Sequence, residues 1–240
     1  MPSRFKNRTD AGREVAERLR HLAGQDVIVL ALPRGGLPVA YEIARTLRAP
    51  LDVLNVRKLG VPWQEELAMG AVATGGVRVL NDEIVHASGL SLADIDAATA
   101  KQRAEIDRRE RLYRGGRPAP NLAGRTVIVV DDGIATGATV RAALAVVRAQ
   151  HPARLVLATP VVQASVASEL AKDVDELVAS LTPDSLYAIG LWYDDFPQLT
   201  DDDVQEILRR ATWSVSSSIS SAVNSASQTV SPSPVTDSTR

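Results

Sequence analysis

The chain has 240 residues, 45% of them hydrophobic, enough for one large domain or two small ones with a real core. A net charge of -2 excludes a generally basic nucleic-acid surface, and the absence of cysteine excludes disulfides and thiolate chemistry. No apolar run approaches the ~20 residues of a membrane span, and residues 1–8 are polar with no signal-peptide core, so no membrane contact and a cytoplasmic location are expected.

In chain order, residues 27–32 form a continuous apolar run, as a strand buried on both faces requires. Residues 37–47 carry apolar side chains at helical spacing, and 51–56 read as the next strand. Residues 72–74 and 77–80 flank Gly75-Gly76, a hairpin turn. Ser91-Leu92-Ala93-Asp94 has the form of a capping box and opens a long helix to Arg114, stopped by Gly115-Gly116-Arg117-Pro118. Residues 126–130 are the most strand-like segment, and Val140, Ala143, Leu144 and Val147 mark one face of the helix after it. Residues 155–162, 176–181 and 186–191 read as strands, and 201–211 as a closing helix.

This alternation predicts an α/β fold: a mostly parallel twisted sheet with helices on both faces, over a domain spanning 1–213. From 214 to 240 the chain holds eleven serines, two prolines and almost no large apolar residue, and is predicted to be a disordered tail. Ligands of such sheets sit beyond the carboxyl ends of the strands, so site residues are sought just after each strand.

The segment after residues 126–130 is Asp131-Asp132-Gly133-Ile134-Ala135-Thr136-Gly137-Ala138-Thr139. A buried strand here delivers two carboxylates to its end, and a Gly- and Thr-containing turn leads into a helix. Backbone N–H groups at a helix start form an anion site. Gly137 allows close backbone approach to a phosphate, and Thr136 and Thr139 add hydroxyl donors. Two carboxylates repel a phosphate but accept hydrogen bonds from the vicinal hydroxyls of a sugar. An ordinary strand–turn–helix with Asp as turn former accounts for one Asp and poorly for the pair. There is no G-x-x-x-x-G-K-[ST], and Pro33-Arg34-Gly35-Gly36 after the first strand is not G-x-G-x-x-G, which argues against a P-loop and a dinucleotide fold.

The acid pair followed by a small residue, Thr, Gly, any residue and Thr resembles the signature with which type I phosphoribosyltransferases bind 5-phosphoribosyl-1-pyrophosphate (PRPP). The resemblance implies that family's fold, including a small hood subdomain. It implies that Asp131 and Asp132 take the ribose hydroxyls and that Ala135, Thr136, Gly137, Ala138 and Thr139 wrap the 5-phosphate. Gly133 departs from the family, which usually has an apolar residue there, and the loop is expected to be looser for it. The family's pyrophosphate loop corresponds to Arg34, Gly35 and Gly36, whose backbone N–H groups would hold the pyrophosphate with the Arg34 guanidinium. Arg57-Lys58-Leu59-Gly60 is similar to the run that starts the family's flexible closing loop, which would continue through residues 63–70. Arg34, Lys58, Asp131 and Asp132 are the expected catalytic set.

Arg103, Arg108, Arg109, Arg111 and Arg114 alternate with Glu105, Asp107 and Glu110 along the long helix, which reads as a solvated face and not as a nucleic-acid surface. His21, His86 and His151 have no ligand spacing, so no protein-ligated metal site is predicted. Tyr193 and Phe196 lie in the aromatic-rich stretch 187–197 and are candidates to stack on an acceptor; Trp192 and Phe196 could instead close the core. The resemblance implies transfer of ribose 5-phosphate from PRPP, bound with Mg2+, to a small-molecule acceptor such as a nitrogen base, by a homodimer. The alternative is a non-catalytic PRPP-binding regulatory module, or a domain that works with a partner protein.

Overall fold

The computed structural model of the chain describes residues 4–211. The predicted tail, and Trp213 where the domain was expected to end, lie outside the described residues. Five strands, β1 (Val27–Ala31), β2 (Leu51–Val53), β6 (Thr126–Val130), β7 (Arg154–Val161) and β8 (Glu176–Leu181), form one parallel sheet in the order β2-β1-β6-β7-β8. A second, antiparallel sheet holds β3 (Val56–Val61), β4 (Gln64–Ala73) and β5 (Arg78–Leu80) in that order. The helices are α1 (Arg8–Arg18), α2 (Gly36–Leu47), α3 (Asp82–Ala87), α4 (Leu92–Arg114), α5 (Ala138–Arg148), α6 (Ala164–Leu170) and α7 over residues 201–211.

Every residue of β1 and β6 is buried, and their side chains feed two cores. Ile128 and Val130 meet α1, α2 and α7 through Val15, Leu37, Ile43, Val204 and Leu208. Val127 and Val129 meet α5 and α6 through Val140, Leu144 and Leu170 on the other face. This division follows from the two-residue period of a strand, and each fully buried Leu or Ile contributes roughly 1.5–3 kcal/mol. A third core joins Leu59, Val61, Met69 and Val72 of the second sheet to Ile95 and Ile106 of α4.

The register sets the site. Ala31 pairs with Val53 and with Val130, and Val130 pairs with Ala158. The carboxyl ends of β2, β1 and β6 are therefore level, β7 continues past them to Val161, and their loops share one edge.

Two expected strands are corrected. Residues 51–56 are not one strand: β2 stops at Val53, and Asn55, whose N–H donates to Thr74 Oγ1 at 3.1 Å, turns the chain into the second sheet. Residues 186–191 hold no strand. Residues Ile189–Trp192 make a short 3-10 turn, and the apolar side chains nearby gather on Phe5 rather than pair with a sheet neighbour. The long helix begins and ends as predicted, with Ser91 and Asp94 reciprocally capped. No helix among the described residues is long and apolar enough to cross a membrane.

Candidate functional site

Two loops from adjacent central strands interlock at the sheet edge. Gly35 packs against Asp132 so closely that a β-carbon at Gly35 would overlap the Asp132 carboxylate. Gly35 is thus required by the neighbouring acid as well as by its own turn. The Pro33–Arg34 peptide is cis, and Gly35 and Gly36 open α2. The Gly36 N–H donates to Leu32 O at 3.1 Å, so it is not free for an anion as expected. Arg34 and Gly35 keep N–H groups with no backbone acceptor among the described residues.

The β6 loop presents its groups unequally. Asp131 is part-exposed, and its carboxylate accepts from the Asp132 N–H at 2.9 Å. Burial and the charge of Asp132 push the Asp131 carboxyl well above its ordinary value. Asp132 is buried and paired with Arg8 of α1, Nε to Oδ2 at 2.7 Å. Gly133 does not loosen the loop: Ile189 fills the space its side chain would take, and Ile134 is buried with its N–H bonded to Val161 O at 2.9 Å. Gly137 has φ 72 and caps α5. No side chain caps the start of α5, so its first-turn N–H groups are open to an anion, while Thr136 and Thr139 are exposed beside them.

The remaining cations diverge. Strand alternation sends Arg57 and Lys58 to opposite faces of β3. Arg57 reaches Glu105 of α4 at 3.5 Å. Lys58 borders a cavity of about 530 Å³ between the second sheet and α5, with Ala138 and Arg141 on its far wall. Residues 63–70 do not form the expected loop; apart from the turn at Pro62 and Trp63 they belong to β4, whose pairing with β3 and whose core against α4 satisfy them. Arg34 lies 3.7 Å from Asp201 at the start of α7, which also accepts from the Tyr113 hydroxyl at 2.6 Å. Burial, then that hydrogen bond, push the Tyr113 phenol up to about 12. Arg108 and Arg109 hold the Glu105 carboxyl down to about 2.

The long helix is not wholly a solvated face. Arg114 is buried, donating to Asp52 at 3.1 Å and to Val53 O at 2.8 Å, and so ties α4 to the main sheet. Of the two expected stacking candidates, Tyr193 and Phe196, the first is buried. Tyr193 is only 3% exposed and its hydroxyl donates to Asp132 O at 2.5 Å. Phe196 stacks on Tyr193, with centroids 4.8 Å apart, and the Arg8 guanidinium covers it at 3.6 Å. Tyr193 is thus turned into the protein, and the part-exposed Phe196 packs on it and on Arg8.

Sequence reasoning missed Arg8 and Asp201. Arg8 follows a helix-capping Asn7, and Asp201 opens a helix; neither local pattern signals that the residue reaches a loop more than 60 positions away.

A parallel sheet edge bearing an acid pair, a Gly/Thr turn and an open helix start defines an α/β protein whose candidate site lies at the strand ends. The chain belongs to the phosphoribosyl transferase domain family, whose sequence model matches residues 5–184. It is 50% identical over 207 residues to a Mycobacterium tuberculosis protein whose name provisionally calls it a phosphoribosyl transferase. That match takes in 86% of this chain and 47% of the relative, so the chain spans about half the length of the curated relatives it matches. Among solved structures it is similar to TT1426 from Thermus thermophilus, with 41% identity and a TM-score of 0.79 over 85% of this chain and 97% of that one.

Proposed function

We propose that this domain binds PRPP and transfers its ribose 5-phosphate to a nitrogen base, releasing pyrophosphate. The observation that supports it best is the β6 loop: a part-exposed Asp131 beside an anchored Asp132, followed by the open start of α5. In this reading the 5-phosphate takes the free N–H groups of residues 135–139 and the hydroxyls of Thr136 and Thr139. The ribose hydroxyls donate to Asp131 and Asp132. The pyrophosphate lies toward the free amides of Arg34 and Gly35, with the Arg34 guanidinium drawn from Asp201.

The donor set fits Mg2+ carried in with PRPP. No cluster of ligating side chains exists among the described residues, and Mg2+ is commonly held by one or two carboxylates, substrate oxygens and water. Asp131 is the carboxylate placed for that. When bound, the ion would offset charge on the departing pyrophosphate. The chain's own contribution is positioning and charge: the acids balance positive charge developing on the ribose, and the loop amides hold both phosphate ends.

In the hypoxanthine- and guanine-specific enzymes that this signature resembles, an aspartate precedes the Thr-Gly pair; this chain has Ala135 there, and a methyl group moves no proton, so a 6-oxopurine handled by a loop aspartate is not the expected acceptor. The test is pyrophosphate release from Mg-PRPP with a panel of bases. Turnover with some base, and little with hypoxanthine or guanine, is the expected result. Binding of PRPP with no turnover across the panel would favour the regulatory-module reading, and no PRPP binding would overturn both.

A further inference from the structure

Arg8 is held from several sides. It opens α1 behind the Asn7 cap, donates through Nε to Asp132 Oδ2 at 2.7 Å and through Nη1 to Pro197 O at 2.8 Å, and lies 3.6 Å over the Phe196 ring. Tyr193 completes the enclosure by bonding the Asp132 backbone carbonyl and stacking on Phe196. Arg8 and Asp132 side chains are only 9% and 11% exposed. The segments they tie together are distant in sequence: the first turn of α1, the β6 loop and the stretch 193–197.

A carboxylate has about four acceptor positions. Arg8 occupies Oδ2, and Oδ1 has no donor among the described residues, although it is not a sealed atom. Two adjacent carboxylates at a buried strand end resist being charged together unless a cation stands beside them. The charged groups facing Asp131 are Asp132 on its own loop and Arg8 from α1, with the Tyr193 phenol beyond them.

We propose that Arg8 is a positioning residue for ribose binding, locking Asp132 in one rotamer so that Oδ1 and the Asp131 carboxylate face the diol together. The inference rests on the PRPP-binding reading and adds to it a residue from outside the signature. It gives the aromatic stretch a task as well: Tyr193 and Phe196 hold the arginine and the loop rather than the acceptor.

The experiment is calorimetric titration of the full chain with Mg-PRPP, for the parent, Arg8→Ala, Arg8→Lys, Phe196→Leu and, as a control, Arg13→Ala. Arg13 lies on the same helix with its side chain 62% exposed, so its variant is expected to bind like the parent. Arg8→Ala is expected to bind PRPP about 10- to 100-fold more weakly, the scale seen when a group that orients a ligating side chain is removed. Arg8→Lys restores the charge without the fork and is expected to recover part of the loss. That partial rescue by Arg8→Lys is the readout that a merely structural role would not give.

Folded Arg8→Ala binding PRPP as tightly as the parent overturns the proposal; tighter binding would mean that Arg8 blocks the ribose. If Arg8→Ala does not fold, Phe196→Leu decides: it keeps the cation and frees its plane, and unchanged affinity there overturns the proposal equally. A parent chain that does not bind PRPP would instead sink the functional reading beneath it.

Discussion

The strand-end loops of the parallel sheet and the second sheet with α4 both carry charged residues toward one edge, yet they are held by different physics. At the strand ends the contacts are close and dry. The Asp132 carboxylate fills the space above Gly35, Ile189 fills the space above Gly133, and Arg8 meets Asp132 inside the protein. On α4, Arg57, Arg108 and Arg109 converge on Glu105 with side chains 38%, 50% and 27% exposed. Water screens those pairs and their geometry is adjustable. A rigid edge suits the recognition of a ribose and a phosphate at fixed spacing.

The contrast can be broken first at Asp131. Asp131→Asn is expected to weaken Mg-PRPP binding by about 1.5–3 kcal/mol, the worth of a hydrogen bond to a charged group, and calorimetry reads it directly. The same carboxyl sets a pH dependence. Its raised value means that PRPP affinity falls, on acidification, at a pH above the ordinary Asp range near ~3.9. Without ligand the sign reverses: the folded state holds that proton more tightly, so this group favours folding at low pH and disfavours it as pH rises through the raised value.

Gly35→Ala probes the interlock. The added methyl has to displace a carboxylate that Arg8 holds in place, and overpacking of this kind costs about 1–3 kcal/mol in urea denaturation. An unchanged midpoint would show that the two loops are not rigidly fitted. The smallest effect belongs to the second region. Glu105→Gln is expected to lower folding stability by no more than about 1 kcal/mol, because water screens these part-exposed pairs. A larger loss would mean that the arginine ring is structural and would remove the difference drawn between the two regions.

Much of the first region could be read in advance. The run Thr126–Val130 is apolar at every position but the first, the acid pair follows it, and Gly137 sits where the chain needs a positive φ. Those signals are local: each depends on neighbours within a few residues. The expectation of a closing loop over the β3–β4 hairpin rests on the resemblance of Arg57-Lys58-Leu59-Gly60 to the family's flexible loop, and not on any pairing pattern. What makes them strands is the pairing across to residues 64–73 and the core that Leu59, Val61 and Met69 build with α4. Tyr193 failed for a related reason. An aromatic near the end of such a chain can face a ligand or the interior, and the isolated pairing of Phe5 with Tyr193 sends it inward.

The chain's own order of residues sufficed for the parallel α/β class, the long capped helix and the Gly137 turn that opens α5, because burial period, caps and turns act over short stretches. The partner of each charge was settled by packing. Asp132 could have faced solvent, Asp131 or a ligand; it faces Arg8 because α1 lies against α2 and brings a residue 124 positions away within 2.7 Å. Contacts at that separation come from how the layers stack, and no local pattern encodes them.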